Sequence, residues 1–185
     1  MASGKCGKDL TWTLDNGTLT ISGTGKMKNY GESSSPWWKY RGAIEKIIIC
    51  DGVTSIGDWV FSCCRNLAEI KIPDGVTYIG DWAFYVSNSL TEIKLPDSIT
   101  SIGKGAFGFC ESLKEITIPD GVTTIDRGAF ICCRSLTEIK IPANITSIDE
   151  SAFYECESLE KIYCRRDTGF EKILSEGNGA KLIQY

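Results

Sequence analysis

Nine cysteines, the Ser-x-x-Lys spacing at Ser158 and scattered carboxylates are the features of this chain that could carry chemistry, and their placement argues against it. No histidine occurs in the 185 residues. That removes Ser-His-Asp and Cys-His activation of a nucleophile, and every imidazole metal ligand. Ser158-Leu159-Glu160-Lys161 keeps the spacing of a lysine-activated serine. Leu159 and Lys161 are members of recurring rows, however, so the tetrad is a by-product of an internal repeat. No Cys-x-x-Cys pair supplies two metal ligands from one loop. Gly23-Thr24-Gly25 lacks the strand-turn-helix setting of a dinucleotide loop. The chain reads as a non-enzyme, with no catalytic residue, no metal site and no cofactor.

The cysteines lead to the element that positions everything else. Cys64, Cys110, Cys133 and Cys156 share one position of a 23-residue period, the same period that separates Ile47, Ile70, Ile93, Ile116, Ile139 and Ile162. A short, fixed period means that each unit is one turn of a solenoid, which buries its apolar face only by stacking on its neighbours. Further rows follow in register: Val53, Val76, Ile99, Val122, Ile145; Ile56, Ile79, Ile102, Ile125, Ile148; Phe61, Phe84, Phe107, Phe130, Phe153; and Leu67, Leu90, Leu113, Leu136, Leu159. None turns polar. Together they describe a shared aliphatic core with one phenylalanine per turn, in which the four cysteines stack inward as small hydrophobes. In the adjacent pairs Cys63-Cys64 and Cys132-Cys133 one member should then point outward. Cys63 and Cys132 lie three turns apart, about 14 Å, too far for a disulfide.

Alternation of inward Ile70 and Ile72 with outward Glu69 and Lys71 predicts a short strand at the start of each turn. Pro73, Pro96, Pro119 and Pro142 end it, because proline has no N–H for the ladder. Asp74-Gly75 and Asp120-Gly121 are turn dipeptides, and Thr54-Ser55-Ile56-Gly57 reads as a second strand across the coil. The Gly-Asp-x-Ala-Phe stretch is too short for an ordinary helix and predicts a tight helical or 3₁₀ turn.

The pattern Leu-x-x-Ile-x-Ile-Pro-x-x-Val-x-x-Ile-Gly-x-x-Ala-Phe-x-x-Cys-x-x, repeated five times over residues 47–161, resembles the leucine-rich repeats of the Treponema pallidum class found in BspA-like bacterial surface proteins. Leu10 to Gly25 and Pro36-Trp37-Trp38 are similar to the segment that often precedes such repeats. Cys50 departs from the pattern in place of proline, Ser87 in place of cysteine, and Ala143-Asn144 in place of Asp-Gly. The fold class implied is a repeat solenoid, mainly β or α/β: a right-handed coil of five 23-residue turns with parallel strands. The resemblance also implies a bacterial surface or secreted protein that attaches to host proteins or other cells.

Such a stack needs ends. Leu10 to Leu14 and Thr18 to Ser22 alternate around Asp15-Asn16-Gly17, a hairpin whose Asn-Gly supplies the positive φ angles of a type I′ turn. Residues 1–46 therefore form an N-terminal cap with a β-hairpin, completed by Trp37 and Trp38. Residues 162–185 form the C-terminal cap, with a short amphipathic helix over 168–175 started by Thr168, a break at Gly177-Asn178-Gly179, and a last strand from Lys181 to Tyr185. One continuous domain results.

A net charge of −4 supplies no basic face for nucleic acid. No apolar run is long enough for a membrane span. Met1-Ala-Ser-Gly-Lys5 has no signal-like apolar region, so the chain is either cytoplasmic or a secretory signal has been removed. Asn16-Gly-Thr and Asn144-Ile-Thr match a glycosylation pattern, but both asparagines stand where turns need them.

What remains is surface, presented by a monomer. Two outward rows run along the strands: Lys46, Glu69, Glu92, Glu115, Glu138, Lys161, and beside them Ile48, Lys71, Lys94, Thr117, Lys140, Tyr163. They read either as a solvated face, with Glu69, Glu92 and Glu138 softened by a lysine two residues on, or as an array for a protein partner. The candidate partner-binding residues are Lys71, Glu92, Lys94, Glu115, Lys140 and Tyr163, with a second, aromatic set of Trp59, Trp82 and Tyr85 joined by Phe109 and Tyr154. Two functions stay open: a protein-binding or adhesion module whose partner is a protein or cell-surface ligand, and a structural spacer without a ligand of its own.

Overall fold

The computed structural model describes residues 1–165 and 180–184. The chain opens with three antiparallel strands, β1 (Ala2–Lys5), β2 (Gly7–Asp15) and β3 (Thr18–Met27). β2 and β3 form the expected hairpin, with φ at 44° for Asn16 and 76° for Gly17, the left-handed pair that a type I′ turn requires. β1 is an added strand that the sequence pattern does not announce.

β3 then seeds both sides of the solenoid. Its first half pairs in parallel with β4 (Lys46–Ile49), Leu19 opposite Ile47 and Ile21 opposite Ile49. Its second half pairs with β5 (Val53–Ile56). From β4 the strand face continues through β6 (Glu69–Lys71), β8 (Glu92–Ile93), β10 (Glu115–Ile116), β12 (Glu138–Lys140), β14 (Lys161–Cys164) and β15 (Lys181–Gln184). From β5 the second side continues through β7 (Tyr78–Ile79), β9 (Ser101–Ile102), β11 (Thr124–Ile125) and β13 (Ser147–Ile148). The prolines end the first strand of each turn as predicted, and each then accepts a turn-closing bond, as Pro73 O does from Val76 N at 3.1 Å.

A third side replaces the expected 3₁₀ turn. Gly57–Cys64 and its counterparts form successive tight turns with two left-handed residues in each of the first four coils and one in the fifth: Trp59, Trp82, Gly105 and Gly128 at one position, and Cys63, Val86, Phe109, Cys132 and Glu155 at another. The reason is hydrogen bonding between coils. Trp59 N, Phe61 N and Cys63 N donate to Asp81 O, Ala83 O and Tyr85 O of the next coil at 2.7–2.9 Å. A continuous 3₁₀ turn would direct those N–H groups back into its own coil, so the ladder wins over local helix geometry.

The apolar rows are buried as read, apart from Ile70, which is half-buried. Phe61, Phe84, Phe107 and Phe130 are fully buried. Successive rings stack at 5.4–5.6 Å from Phe61 to Phe153. Trp37 extends this column into the N-terminal cap, stacked on Phe61 at 5.6 Å with its Nε1 donating to Val60 O at 2.8 Å. The cap continues the coil's own pattern rather than covering it with something foreign. β15 supplies the predicted last strand, pairing in parallel with β14; the helix expected over 168–175 lies outside the described residues.

Candidate protein-binding face

The cysteines can be settled first. Cys64, Cys110, Cys133 and Cys156 are buried, and all nine cysteines are free thiols. Cys110, Cys133 and Cys156 each donate through Sγ to the phenylalanine carbonyl of the preceding coil, Phe84, Phe107 and Phe130, at 3.1–3.3 Å. Burial pushes the Cys64, Cys110 and Cys156 thiols up to about 12 and Cys133 well above its ordinary value. These are core residues, not nucleophiles, because the reactive species is the thiolate. Cys63 is half-buried, as an outward member should be, whereas Cys132 is covered, with its Sγ 3.5 Å from a Glu155 carboxylate oxygen. Among the described residues no group of three histidine, cysteine or carboxylate side chains could hold a metal ion.

The aromatic set sits on the turn side of the coil. Trp59 and Trp82 stack at 5.4 Å, and Tyr85 meets both edge-on and touches Phe109. Trp82 in turn lies flat on Gly105, where an added Cβ would come within 2.1 Å of its ring. Ring faces are thus spent on one another and on the neighbouring coil. Trp59, Trp82 and Tyr85 are half-buried; Tyr154 is exposed. Beside them runs a polar column the sequence did not reveal: Asn29 Oδ1 accepts from Asp58 N, Asp58 Oδ1 from Asp81 N, and Asp81 Oδ1 from Lys104 N, at 2.9–3.2 Å. Its members are spread over separate coils, so no local motif marks it.

The strand face is different. A groove of about 660 Å³ runs along it, bounded by Glu92, Lys94, Glu115, Lys140 and Tyr163 of the candidate residues, with the strand positions of Ile70, Ile93, Ile116 and Ile139 between them, whose side chains pack toward the core. Lys71 is exposed on β6 but does not border the groove. The strands beneath are not one sheet. β4 pairs β6, β8 pairs β10, and β12, β14 and β15 form a third group, joined to β10 by the bridge Thr117–Lys140. The β8–β10 pair lies at the centre of the groove.

At its two ends the glutamate row is paired across coils. Lys46 pairs with Glu69 at 2.6 Å, and Lys161 with Glu138 at 3.7 Å. Neighbouring strands lie about 4.8 Å apart, whereas residues two apart on a strand are separated by about 6.8 Å. For Glu69 and Glu138 the lysine in the adjacent coil is therefore the nearer partner. Glu92 and Glu115, opposite each other across the β8–β10 ladder, have no ion-pair partner among the described residues. Like charges in register cost about 0.2–1 kcal/mol.

A profile of the BspA-type leucine-rich repeat region matches residues 35–168 in six copies. The chain belongs to that family. The sixth copy reaches back into the segment where Trp37 stands on the phenylalanine column. Leucine-rich repeats of this kind generally mediate protein interactions. A leucine-rich repeat protein from Eubacterium ventriosum is 31% identical with a TM-score of 0.76, over 88% of this chain and 44% of that one. A leucine-rich cell surface protein from Faecalibacterium prausnitzii is 28% identical with a TM-score of 0.57, over 88% of this chain and 54% of the other. The T. pallidum leucine-rich repeat protein, 22% identical with a TM-score of 0.56 over 94% and 97%, shares the fold. The chain spans about half the length of the first two. No curated protein matches it. No helix among the described residues is long and apolar enough to cross a membrane.

Proposed function

We propose that this chain is a non-catalytic protein-binding or adhesion module of a bacterial surface or secreted protein, and that its strand face is the binding surface. The observation that carries this reading is the groove itself. There the charged side chains of successive strands and Tyr163 line one continuous depression across several coils. The cell-surface description of the Faecalibacterium relative agrees with it. The aromatic set is the lesser candidate, because its ring faces already pack on each other.

The test compares two variants against a panel of extracellular-matrix proteins. One reverses Lys71, Lys94 and Lys140 to glutamate, and the other replaces Trp59, Trp82 and Tyr85 by alanine. Binding lost in the charge-reversed variant and kept in the aromatic one supports the strand face; the opposite result moves the surface to the turn side. Binding unaffected by either, with the fold intact, favours the spacer reading, for which the unbroken phenylalanine column would serve as a stiff rod.

A further inference from the structure

The second side of the coil carries hydroxyls where the strand face carries charge. On and just before β7, β9, β11 and β13 stand the pairs Thr77-Tyr78, Thr100-Ser101, Thr123-Thr124 and Thr146-Ser147, of which Tyr78 and Ser101 are half-buried and the rest exposed. No charged side chain interrupts either row. Strand propensity accounts for the threonines but not for the serines, and solubility alone would favour charge. The threonines are also fixed in orientation: Thr100 Oγ1 donates to Thr77 O at 3.2 Å, and Thr146 Oγ1 to Thr123 O at 3.1 Å. Their protons serve the preceding coil, so their lone pairs are left to accept from outside. Between β11 and β13 the strip deepens into a depression of about 450 Å³ lined by Thr124, Ser147, Asp126, Asp149 and Glu150. Asp126 Oδ1 accepts from Arg127 N, and Asp149 Oδ1 from Ser151 N and Oγ; the other oxygen of each carboxylate makes no hydrogen bond among the described residues.

The edges of the strip decide what it can hold. Asp74, Asp97 and Asp120 stand exposed along one edge, three residues before the threonine row, and Lys104 and Arg127 stand exposed along the other, four residues after it. A polyanion is opposed by the first edge and a polycation by the second, so charge complementarity favours a partner with neither. Independently of the strand-face reading, we propose that this second side binds a neutral glycan, laid along the stack with its hydroxyls on the threonine and serine rows and one sugar seated in the depression at Asp126 and Asp149. The threonine oxygens recur about every 4.8 Å over about 14 Å, a track for an extended chain. Sugar hydroxyls donate to those oxygens and accept from the serines, and those that reach the open carboxylate oxygens form the stronger, charge-assisted bonds. The depression has the volume of a small-ligand site.

Isotope-labelled full-length protein, titrated separately with cellohexaose, laminarihexaose, maltohexaose, mannohexaose and xylohexaose, tests this by amide chemical shifts. At least one of these should give saturable shifts at Thr100–Ser101, Thr123–Asp126 and Thr146–Asp149, with a Kd of about 1 mM. Oligogalacturonate, an anion, and chitosan hexaose, a cation, should not. Thr100→Val with Thr123→Val keeps the shape of both side chains and removes two hydroxyls, so the neutral sugar should bind about tenfold more weakly. Thr100→Ser with Thr123→Ser keeps the hydroxyls and should bind as the unaltered protein does; matching melting temperatures check the fold of both variants. Reversal of Lys71, Lys94 and Lys140 should leave the shifts in place, which separates this surface from the strand face. No saturation by any of the neutral hexaoses at about 10 mM, equal affinities of the valine and serine variants, charged oligosaccharides bound as tightly as neutral ones, or shifts confined to the strand face would each overturn the glycan strip.

Discussion

Phe107 and Phe130 stack with centroids 5.6 Å apart and planes 6° from parallel. Phe107 meets Phe84 on its other side at 5.4 Å and 5°. A ring sandwiched in this way belongs to three coils at once. Phe107→Ala should therefore cost about 3–5 kcal/mol, the range for deleting a fully buried phenylalanine whose surroundings cannot collapse. Phe153→Ala, at a slightly exposed ring that stacks, among the described residues, on Phe130 alone, should cost less. Urea unfolding followed by circular dichroism would rank the two, and an equal cost would mean that stability is not shared between coils as a stacked column requires.

The thiol column makes stability fall in alkali. Burial raises Cys64, Cys110 and Cys156 from 9.0 to about 12. Below the unfolded-state value both states hold the proton, and the stabilising contribution of these thiols is fully present. Between about 9 and 12 the unfolded chain releases protons that the folded one retains, so stability drops as pH rises. Each thiol contributes up to about 1.4 kcal/mol per pH unit within that window. Urea midpoints measured from pH 8 to pH 11 should decline, and Cys110→Ser should make the decline shallower. A flat profile would show the thiols to be solvated.

Much of this was legible because a repeat prints each core position five times. Rows such as Ile47 to Ile162 cannot arise from a solvent-facing pattern, and the Asn16-Gly17 turn carries its own geometry. The double pairing of β3 was not legible, since nothing in Thr18–Met27 marks where one partner strand yields to another. Left-handed Trp59, Trp82 and Val86 run against residue preference; they hold that conformation because coil-to-coil bonds outweigh a local cost of about 1–2 kcal/mol. At the candidate site, the two charged rows could be read from the chain, but which lysine meets which glutamate depends on distances between coils.

Ser87 is the one member of the cysteine row that is not a thiol, and its hydroxyl lies 3.5 Å from Phe61 O. That is long for an O–H donor, and the residue is fully buried. Cysteine would keep the volume, remove a poorly satisfied hydroxyl and place a weaker donor where neighbouring coils already use one. Ser87→Cys should therefore stabilise by about 1 kcal/mol, seen as a higher urea midpoint under reducing conditions. Destabilisation would mean that the hydroxyl bond is worth more than its length suggests.

The last expectation concerns the N-terminal cap. β3 pairs with β4 through Leu19 and Ile21 and with β5 through Gly25 and Lys26, while Trp37 closes the phenylalanine column. Deleting residues 1–46 removes all three coverings at once. It bares one edge of each strand ladder, and with them the face of Phe61. Two open parallel edges beside an apolar end are a template for association with other chains. The truncated chain should therefore aggregate or form large assemblies in light scattering, whereas Trp37→Phe, which keeps a stacking ring but loses the bond to Val60 O and part of the buried indole's packing on Trp12 and Tyr30, should remain monodisperse with a lowered melting temperature. A soluble, monomeric truncation would show that the coils close their own end and that β3 is an appendage rather than their first strand.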